Sequence, residues 1–179
     1  MALTWFAGAF LTAADLNARL PLFVDKSAGA QTVTNSTAYV EDTALQLTLL
    51  PGRVYLMRCS LAVTGPAAAD IKLQWSLAAD LTMTVGRAAR GPTIGTTDVT
   101  GGSAAATTVG VNRASGAHAS GTTNSYGLDG TNTSNVIEEF TITTGTIGGL
   151  LKLQWAQRTA NVVGTVVGTD SFLLATPVS

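Results

Sequence analysis

Two nearly identical stretches decide the fold of this chain: Ile71-Lys-Leu-Gln-Trp75 and Leu151-Lys-Leu-Gln-Trp155. In both copies the apolar residues fall at every second position, and lysine and glutamine occupy the positions between them. This alternation is typical of a β-strand that has one buried face and one face in contact with water. We therefore predict two core strands with their leucines and tryptophans turned inward. The repeat has two explanations: either the two strands are neighbours in one sheet, or a common strand pattern has recurred by chance.

The composition limits the classes of protein to which the chain can belong. Its 179 residues suit a single domain, and only 12% of them are charged, about half the usual fraction. The net charge of −1 argues against a nucleic-acid partner, which requires a basic surface. So few charges indicate a surface covered by copies of the chain itself or by another protein. No apolar run approaches the length of a membrane span, and without a typical secretory signal the chain is expected to be made in the cytoplasm and to keep its N-terminus.

Further strands are predicted on both sides of the chain's centre. Residues 43–49 and 53–63 alternate, and residues 136–143 alternate with the apolar face at even positions. Turn residues follow at Pro51-Gly52, Gly65-Pro66 and Gly148-Gly149. The lone cysteine shares its parity with apolar neighbours and is interpreted as a small core residue rather than a reactive thiol. The predicted core residues are Tyr55, Cys59, Leu73, Trp75, Leu153 and Trp155.

Residues 1–24 are predicted to form an N-terminal anchoring arm that carries one small helix. Thr12 can cap the helix and Asp15 can return the hydrogen bond, while Pro21 ends it. So short a helix is not stable alone, so its apolar side chains must be buried on something. The arm either packs on its own domain or docks on another subunit. The candidate partner-binding residues are Trp5, Phe6, Phe10, Leu11, Leu16 and Leu20.

A segment at about 86–135 separates the two strand-rich regions. It is rich in Gly, Thr, Ala and Ser and has hardly a large apolar residue. A loop of that length is unusual in a compact domain, so it is either a mobile excursion or a segment ordered against neighbouring subunits, and its lack of charge favours the second. The predicted fold is all-β: an antiparallel two-sheet sandwich over residues 25–179, jelly-roll-like, that carries this long excursion.

Residues able to carry out chemistry are scarce, and we expect neither an enzyme nor a cofactor. The single histidine, His118, has no carboxylate near it in the sequence, and no His or Cys pair has metal-ligand spacing. Asp129 begins a faint calcium-loop pattern, but the acidic ligands that should follow are missing. Glu138 and Glu139 are adjacent on a predicted strand and point to opposite faces, so they cannot act as a carboxylate pair.

Several segments resemble one family of phage proteins. Residues 5–20, which contain Leu11-Thr-Ala-Ala-Asp-Leu-Asn17, resemble the opening of small virion proteins of tailed phages that infect actinobacteria. Val33-Thr-Asn-Ser-Thr-Ala38, Leu50-Pro-Gly-Arg-Val-Tyr55, the strand at 71–75 and Gly149-Leu-Leu-Lys-Leu-Gln-Trp-Ala-Gln157 resemble the β-sandwich domain of those proteins, in the same order. The resemblance covers both ends of the chain and omits residues 86–135.

The resemblance implies a structural place in a virion. The first hypothesis is a capsid decoration or minor capsid protein that binds the major capsid protein from outside as a homo-oligomer, with a trimer expected at threefold positions. The second is a minor tail or fibre-tip protein that contacts the host surface. The third, from another class, is a carbohydrate-binding lectin-like module that uses some of the chain's three Trp and three Tyr. The expected location is the virion, after synthesis in the host bacterial cytoplasm.

Overall fold

A computed structural model describes residues 12, 13, 17, 19–92, 113, 114 and 121–178. These residues form two sheets in which all pairs of neighbouring strands are antiparallel. The strands are β1 (Leu22–Asp25), β2 (Gln31–Val33), β3 (Val40–Leu49), β4 (Val54–Thr64), β5 (Ile71–Leu77), β6 (Leu81–Arg90), β7 (Arg113–Ala114), β8 (Asn124–Tyr126), β9 (Ser134–Thr144), β10 (Gly149–Gln157), β11 (Thr165–Val167) and β12 (Phe172–Pro177).

The strand order is that of a jelly roll. One sheet has eight strands, with the path β1-β12-β4-β9-β6-β7 and β11 joining β2 to β4, and the other has the order β3-β10-β5-β8. The main strands pair as nested antiparallel partners: β1 with β12, β3 with β10, β4 with β9 and β5 with β8. Folding such a nested ribbon into two facing sheets produces the jelly-roll sandwich. The predicted all-β, two-sheet antiparallel architecture is therefore confirmed.

The two repeated stretches are neighbouring strands of the smaller sheet. In the antiparallel register of β5 and β10, Trp75 lies opposite Leu153 and Trp155 lies opposite Leu73. Each tryptophan therefore packs beside a leucine of the other copy, on the side of the sheet that faces the core. On the outward side Gln74 lies opposite Gln154, and its Nε2 donates to Oε1 of that residue at 2.6 Å. The repeat therefore pairs Trp with Leu on the inward side and Gln with Gln on the outward side of β5 and β10.

Two glycines shape the turns that frame the smaller sheet. Gly52, between β3 and β4, has a φ of 65°, and Gly148, before β10, has a φ of 73°. Such left-handed angles strain any residue with a Cβ. A Cβ at Gly148 would also clash with the carbonyl oxygen of Leu49. These positions keep the long strands β3, β4, β9 and β10 connected by short turns.

Strands of the structure extend into two of the segments predicted from the sequence. β1 begins at Leu22 and pairs with β12, so residues 22–24, assigned to the arm from the sequence, belong to the sandwich. β6 continues to Arg90, and β8 and the start of β9 lie within the stretch predicted as an excursion. β8 has only three residues, too few for alternation to be recognised, although Tyr126 and the nearby Leu128 are fully buried. Residues 93–112 and 115–120 of the predicted excursion, and residues 14–16 and 18 of the predicted arm helix, lie outside the described residues.

Candidate interaction surface

The interior contains all six residues that the sequence analysis assigned to the core. Each of them is no more than 1% exposed. Four lie on the paired strands β5 and β10, and the other two lie on β4 in the facing sheet. The inner side of β9 has the predicted even parity, with Val136, Phe140 and Ile142 buried. The sandwich therefore has one continuous apolar core between its sheets.

A buried carboxylate, missed by the sequence analysis, lies beside Trp75. Glu138 has 0% exposure, and its Oε2 accepts a hydrogen bond of 2.7 Å from the Trp75 Nε1. Its Oε1 accepts bonds from the Tyr126 hydroxyl at 2.5 Å and from Asn124 Nδ2 at 3.3 Å. The sequence did contain a signal for this site, because Glu138 occupies an even position on the apolar face of 136–143. β5 and β8 of the smaller sheet supply these donors and β9 of the facing sheet supplies the carboxylate. The hydrogen bonds offset the cost of burying the charge.

A second buried carboxylate lies beside Trp155. The Lys26 Nζ lies 3.0 Å from both carboxylate oxygens of Asp42, and both side chains are fully buried. The Trp155 Nε1 donates to Asp42 Oδ2 at 3.2 Å. Asp42 Oδ1 also accepts from the backbone N–H groups of Ala44 and Leu45, where the register of β3 against β10 shifts. Because of this irregularity, Asp42 lies at an even position whereas the buried leucines after it lie at odd positions. Alternation alone could therefore not predict that Asp42 is buried.

Neither buried carboxylate is placed to act on a dissolved substrate. Both side chains are sealed from solvent, and a general acid or base must reach its substrate directly or through a water. Among the described residues, no group of three or more His, Cys, Asp or Glu could hold a metal ion. Asp129 accepts bonds of 2.8 Å and 2.7 Å from the N–H groups of Thr131 and Asn132, so its carboxylate holds its own loop. His118 lies outside the described residues.

The outward side of the eight-stranded sheet carries a group of six apolar residues among polar ones, and we name this group the apolar face. Its members alternate with core residues along β1, β12, β4 and β9, and they include Phe23 at 57% and Leu56 at 50% exposure. The rings of Phe23 and Phe172 lie 5.8 Å apart. Exposed apolar residues are ordinary when scattered, but a contiguous group indicates contact with another molecule. The apolar face consists of Phe23, Val54, Leu56, Ile137, Phe172 and Leu174.

One ion pair lies within the apolar face. Arg58 on β4 lies opposite Glu139 on β9, with 3.8 Å between Arg58 Nε and Glu139 Oε1. Their side chains are 50% and 42% exposed, so the pair is loose and solvated. A pair of this kind contributes little to the stability of its own chain. Both charges therefore remain accessible to a partner.

The outward side of the smaller sheet is polar, and we name it the polar face. It is formed by Glu41, Lys72, Gln74, Lys152 and Gln154, and several of these side chains bond one another across the strands. Lys152 Nζ donates to Glu41 Oε2 at 2.8 Å, and this hydrogen bond holds the pKa of the Glu41 carboxyl below its usual range. Gln74 and Gln154 bond each other across the strands. These side chains of the polar face therefore make hydrogen bonds within their own chain.

Few aromatic side chains are free to stack on a sugar. Of the Trp and Tyr residues that the structure describes, Tyr39 is the one that is not buried. Its hydroxyl lies 2.6 Å from Thr123 Oγ1, and Lys72 Nζ lies 4.5 Å from the centre of its ring. One face of this ring is therefore already in contact with a cation. The polar face offers little of the aromatic platform that glycan-binding modules use.

Five of the six predicted partner-binding residues of the arm fall outside the part of the chain that the structure describes. Trp5, Phe6, Phe10, Leu11 and Leu16 lie outside the described residues. The sixth, Leu20, is 57% exposed just before β1. None of the described segments forms a helix with the length and apolar character that a membrane crossing requires. No family model, curated protein or solved structure matches the chain.

Proposed function

We propose that this chain is a structural protein of a phage virion, namely a decoration or minor capsid protein that binds the assembled head as a homo-oligomer. The observation that carries the proposal is the apolar face, of which a single copy leaves Phe23 and Leu56 at least half exposed and the other four members partly exposed. A rigid sandwich with a contiguous apolar surface and only 12% charged residues is suited to being covered by other subunits. The partners are the major capsid protein and further copies of the chain.

The N-terminal arm is the proposed contact with the capsid. Its sequence resembles the opening of virion proteins, and it carries three aromatic residues among its first ten positions. Leu20 is exposed where the arm joins β1, at the border of the sandwich. An extended apolar arm can hold an existing shell through buried area without enclosing it. A trimer at threefold positions of the shell would present three such arms.

Deletion of residues 1–20 tests the role of the arm. We expect the truncated chain to remain a folded, oligomeric sandwich that no longer sediments with undecorated capsids. The double variant Phe10→Ser/Leu16→Ser should weaken binding in the same direction. Ile147→Ser, which changes an apolar side chain that is 80% exposed in the turn between β9 and β10, is the matched control and should bind normally.

Two results would contradict this assignment of the arm. Full binding by the truncated chain would place the capsid contact on the sandwich. Loss of the fold on truncation, seen as loss of a cooperative thermal transition, would assign the arm to the domain's own core.

The position in the particle separates the head and tail hypotheses. A decoration protein should fractionate with purified heads at a copy number comparable with that of the major capsid protein. A tail or fibre-tip protein should fractionate with tails in a small number of copies. Quantitative mass spectrometry of separated heads and tails measures both quantities. Glycan-array binding that depends on Tyr39 would instead favour the lectin-like module.

A further inference from the structure

The buried ion pair of Lys26 and Asp42 is sealed from solvent but incompletely hydrogen-bonded. Both side chains are 0% exposed, and Asp42 is the single polar partner of Lys26 Nζ among the residues that the structure describes. An ammonium has three N–H donors, so two can bond the carboxylate oxygens and the third is left unsatisfied. Removing two charges from water is costly, and an unsatisfied donor adds to that cost. A reaction that eliminates both charges is therefore favoured here.

We propose that Lys26 Nζ and Asp42 Cγ condense to an isopeptide amide with the release of one water molecule. Nζ lies 3.0 Å from both carboxylate oxygens. The carbon that carries these oxygens is therefore within roughly 3.5 Å of the nitrogen, which is a near-attack distance. A desolvated lysine amine is a competent nucleophile. Full burial also keeps water away from the finished amide, so hydrolysis does not compete.

The reaction balances without any further reagent. Transfer of one proton from Lys26 Nζ to Asp42 Oδ2 gives a neutral amine and a carboxylic acid. The nitrogen lone pair forms the new C–N bond, and the π pair of the carbonyl moves to Oδ1. When that pair returns, the bond from Cγ to Oδ2 breaks, and Oδ2 takes a second proton from the nitrogen and leaves as water. The amide nitrogen keeps one hydrogen and carries no charge.

Three hydrogen-bond donors already contact the two oxygens whose charge changes in the reaction. Asp42 Oδ1, where negative charge develops, accepts from the backbone N–H groups of Ala44 and Leu45 at 3.0 Å and 2.9 Å. Two such donors at this distance have the geometry of an oxyanion hole. Oδ2, the departing oxygen, accepts from Trp155 Nε1 at 3.2 Å. The surroundings of Asp42 can therefore stabilise the tetrahedral intermediate.

The amide joins the two sheets of the sandwich. Lys26 directly follows β1, the outermost strand at one edge of the larger sheet, and Asp42 lies on β3, the outermost strand at one edge of the smaller sheet. β1 is also the strand that a pull on the N-terminal arm would detach first. A covalent bond at its end resists this detachment. That benefit rests on the proposed role of the arm in capsid binding, whereas formation of the bond does not.

Mass spectrometry of the purified full chain under denaturing conditions tests the bond. We expect a mass lower than that of the sequence by one water molecule. Trypsin does not cleave after an acylated lysine, so residues 20–53 should appear as one peptide, lighter by one water and uncut after Lys26. Lys26→Met and Asp42→Ala should each have the full mass of their own sequence. Trp155→Phe, which lacks the donor to Oδ2, should be linked in a smaller fraction of molecules.

A second ion pair of the chain is the matched internal control. Lys152 Nζ lies 2.8 Å from Glu41 Oε2, but the two side chains are 26% and 51% exposed, so water solvates both charges. Trypsin should therefore cleave normally after Lys152. Blocked cleavage at Lys152 as well would contradict the role given to burial and to the donors around Asp42.

Two results would overturn the proposal. One is the full mass of the unchanged chain, both directly after purification and after prolonged incubation of the folded protein, with normal cleavage after Lys26. The other is a mass lower by one water with normal cleavage after Lys26, which would mean that the water was lost elsewhere, as in succinimide formation at another aspartate. Either result would leave the virion role and the capsid-binding arm to be judged by their own experiments.

Discussion

Trp75 and Trp155 occupy matching positions on neighbouring strands, yet the structure holds their carboxylate partners in two different ways. Trp75 shares Glu138 with the Tyr126 hydroxyl and the Asn124 amide of β8, and its own bond to the carboxylate is 2.7 Å long. Trp155 makes a longer bond of 3.2 Å to Asp42, whose charge is balanced by the ammonium of Lys26. The comparison teaches that a repeated strand fixes where the indoles lie, whereas the facing strands decide how each indole N–H is satisfied.

Removing the tryptophans should have the largest effect on stability. Trp75→Ala and Trp155→Ala each create a large cavity and should lower the free energy of unfolding by about 3–5 kcal/mol. We expect Trp75→Ala to cost more, because its hydrogen bond to the carboxylate is shorter, at 2.7 Å against 3.2 Å for Trp155. Urea denaturation followed by circular dichroism measures both values. Equal losses would remove the distinction between the two sites.

Removing the buried ammonium should have a somewhat smaller effect. Lys26→Met leaves the Asp42 carboxylate buried without its counter-ion and should cost about 3–4 kcal/mol. The double variant Lys26→Met/Asp42→Asn removes both charges while an amide oxygen can still accept the backbone N–H groups, so it should be more stable than Lys26→Met alone. Thermal denaturation of the two variants compares them. A single variant as stable as the unchanged chain would show that the ion pair is dispensable.

Neutralising the other carboxylate should have the smallest effect of the three. In Glu138→Gln the side-chain NH₂ faces the donors of Trp75, Tyr126 or Asn124, which leaves buried polar groups unsatisfied at a cost of about 1–3 kcal/mol. Glu139→Gln, at the next position but 42% exposed, is the matched control and should change stability by less than about 0.5 kcal/mol. A difference between the two variants that is too small to measure would mean that Glu138 is less well buried than its surroundings indicate.

The sequence was informative where alternation was long and regular. Alternation predicted the paired strands at 71–77 and 149–157 and the even face of 136–143. Apolar side chains at every second position fit a half-buried strand and do not fit an amphipathic helix. Asp42 could not be recognised, because a register shift in β3 follows it and tertiary context sets its burial. Lys26 carried no signal, since a lysine between strands is normally solvated. The apolar face could not be predicted for a related reason. In the sequence, a Phe or Leu at an outward position looks the same as one in the core, and only the packing of the two sheets distinguishes them.

The nested strand pairing imposes an order in time on the newly made chain. β1 and β4 both pair with β12, at the far end of the described residues, and β3 pairs with β10. Because synthesis proceeds from the N-terminus, β1 and β3 leave the ribosome long before their partners exist. Pairings between such distant segments are also slow to form. The early strands must therefore stay soluble while they wait, and the interval before β10 and β12 emerge is when this chain is most exposed to aggregation or to chaperones.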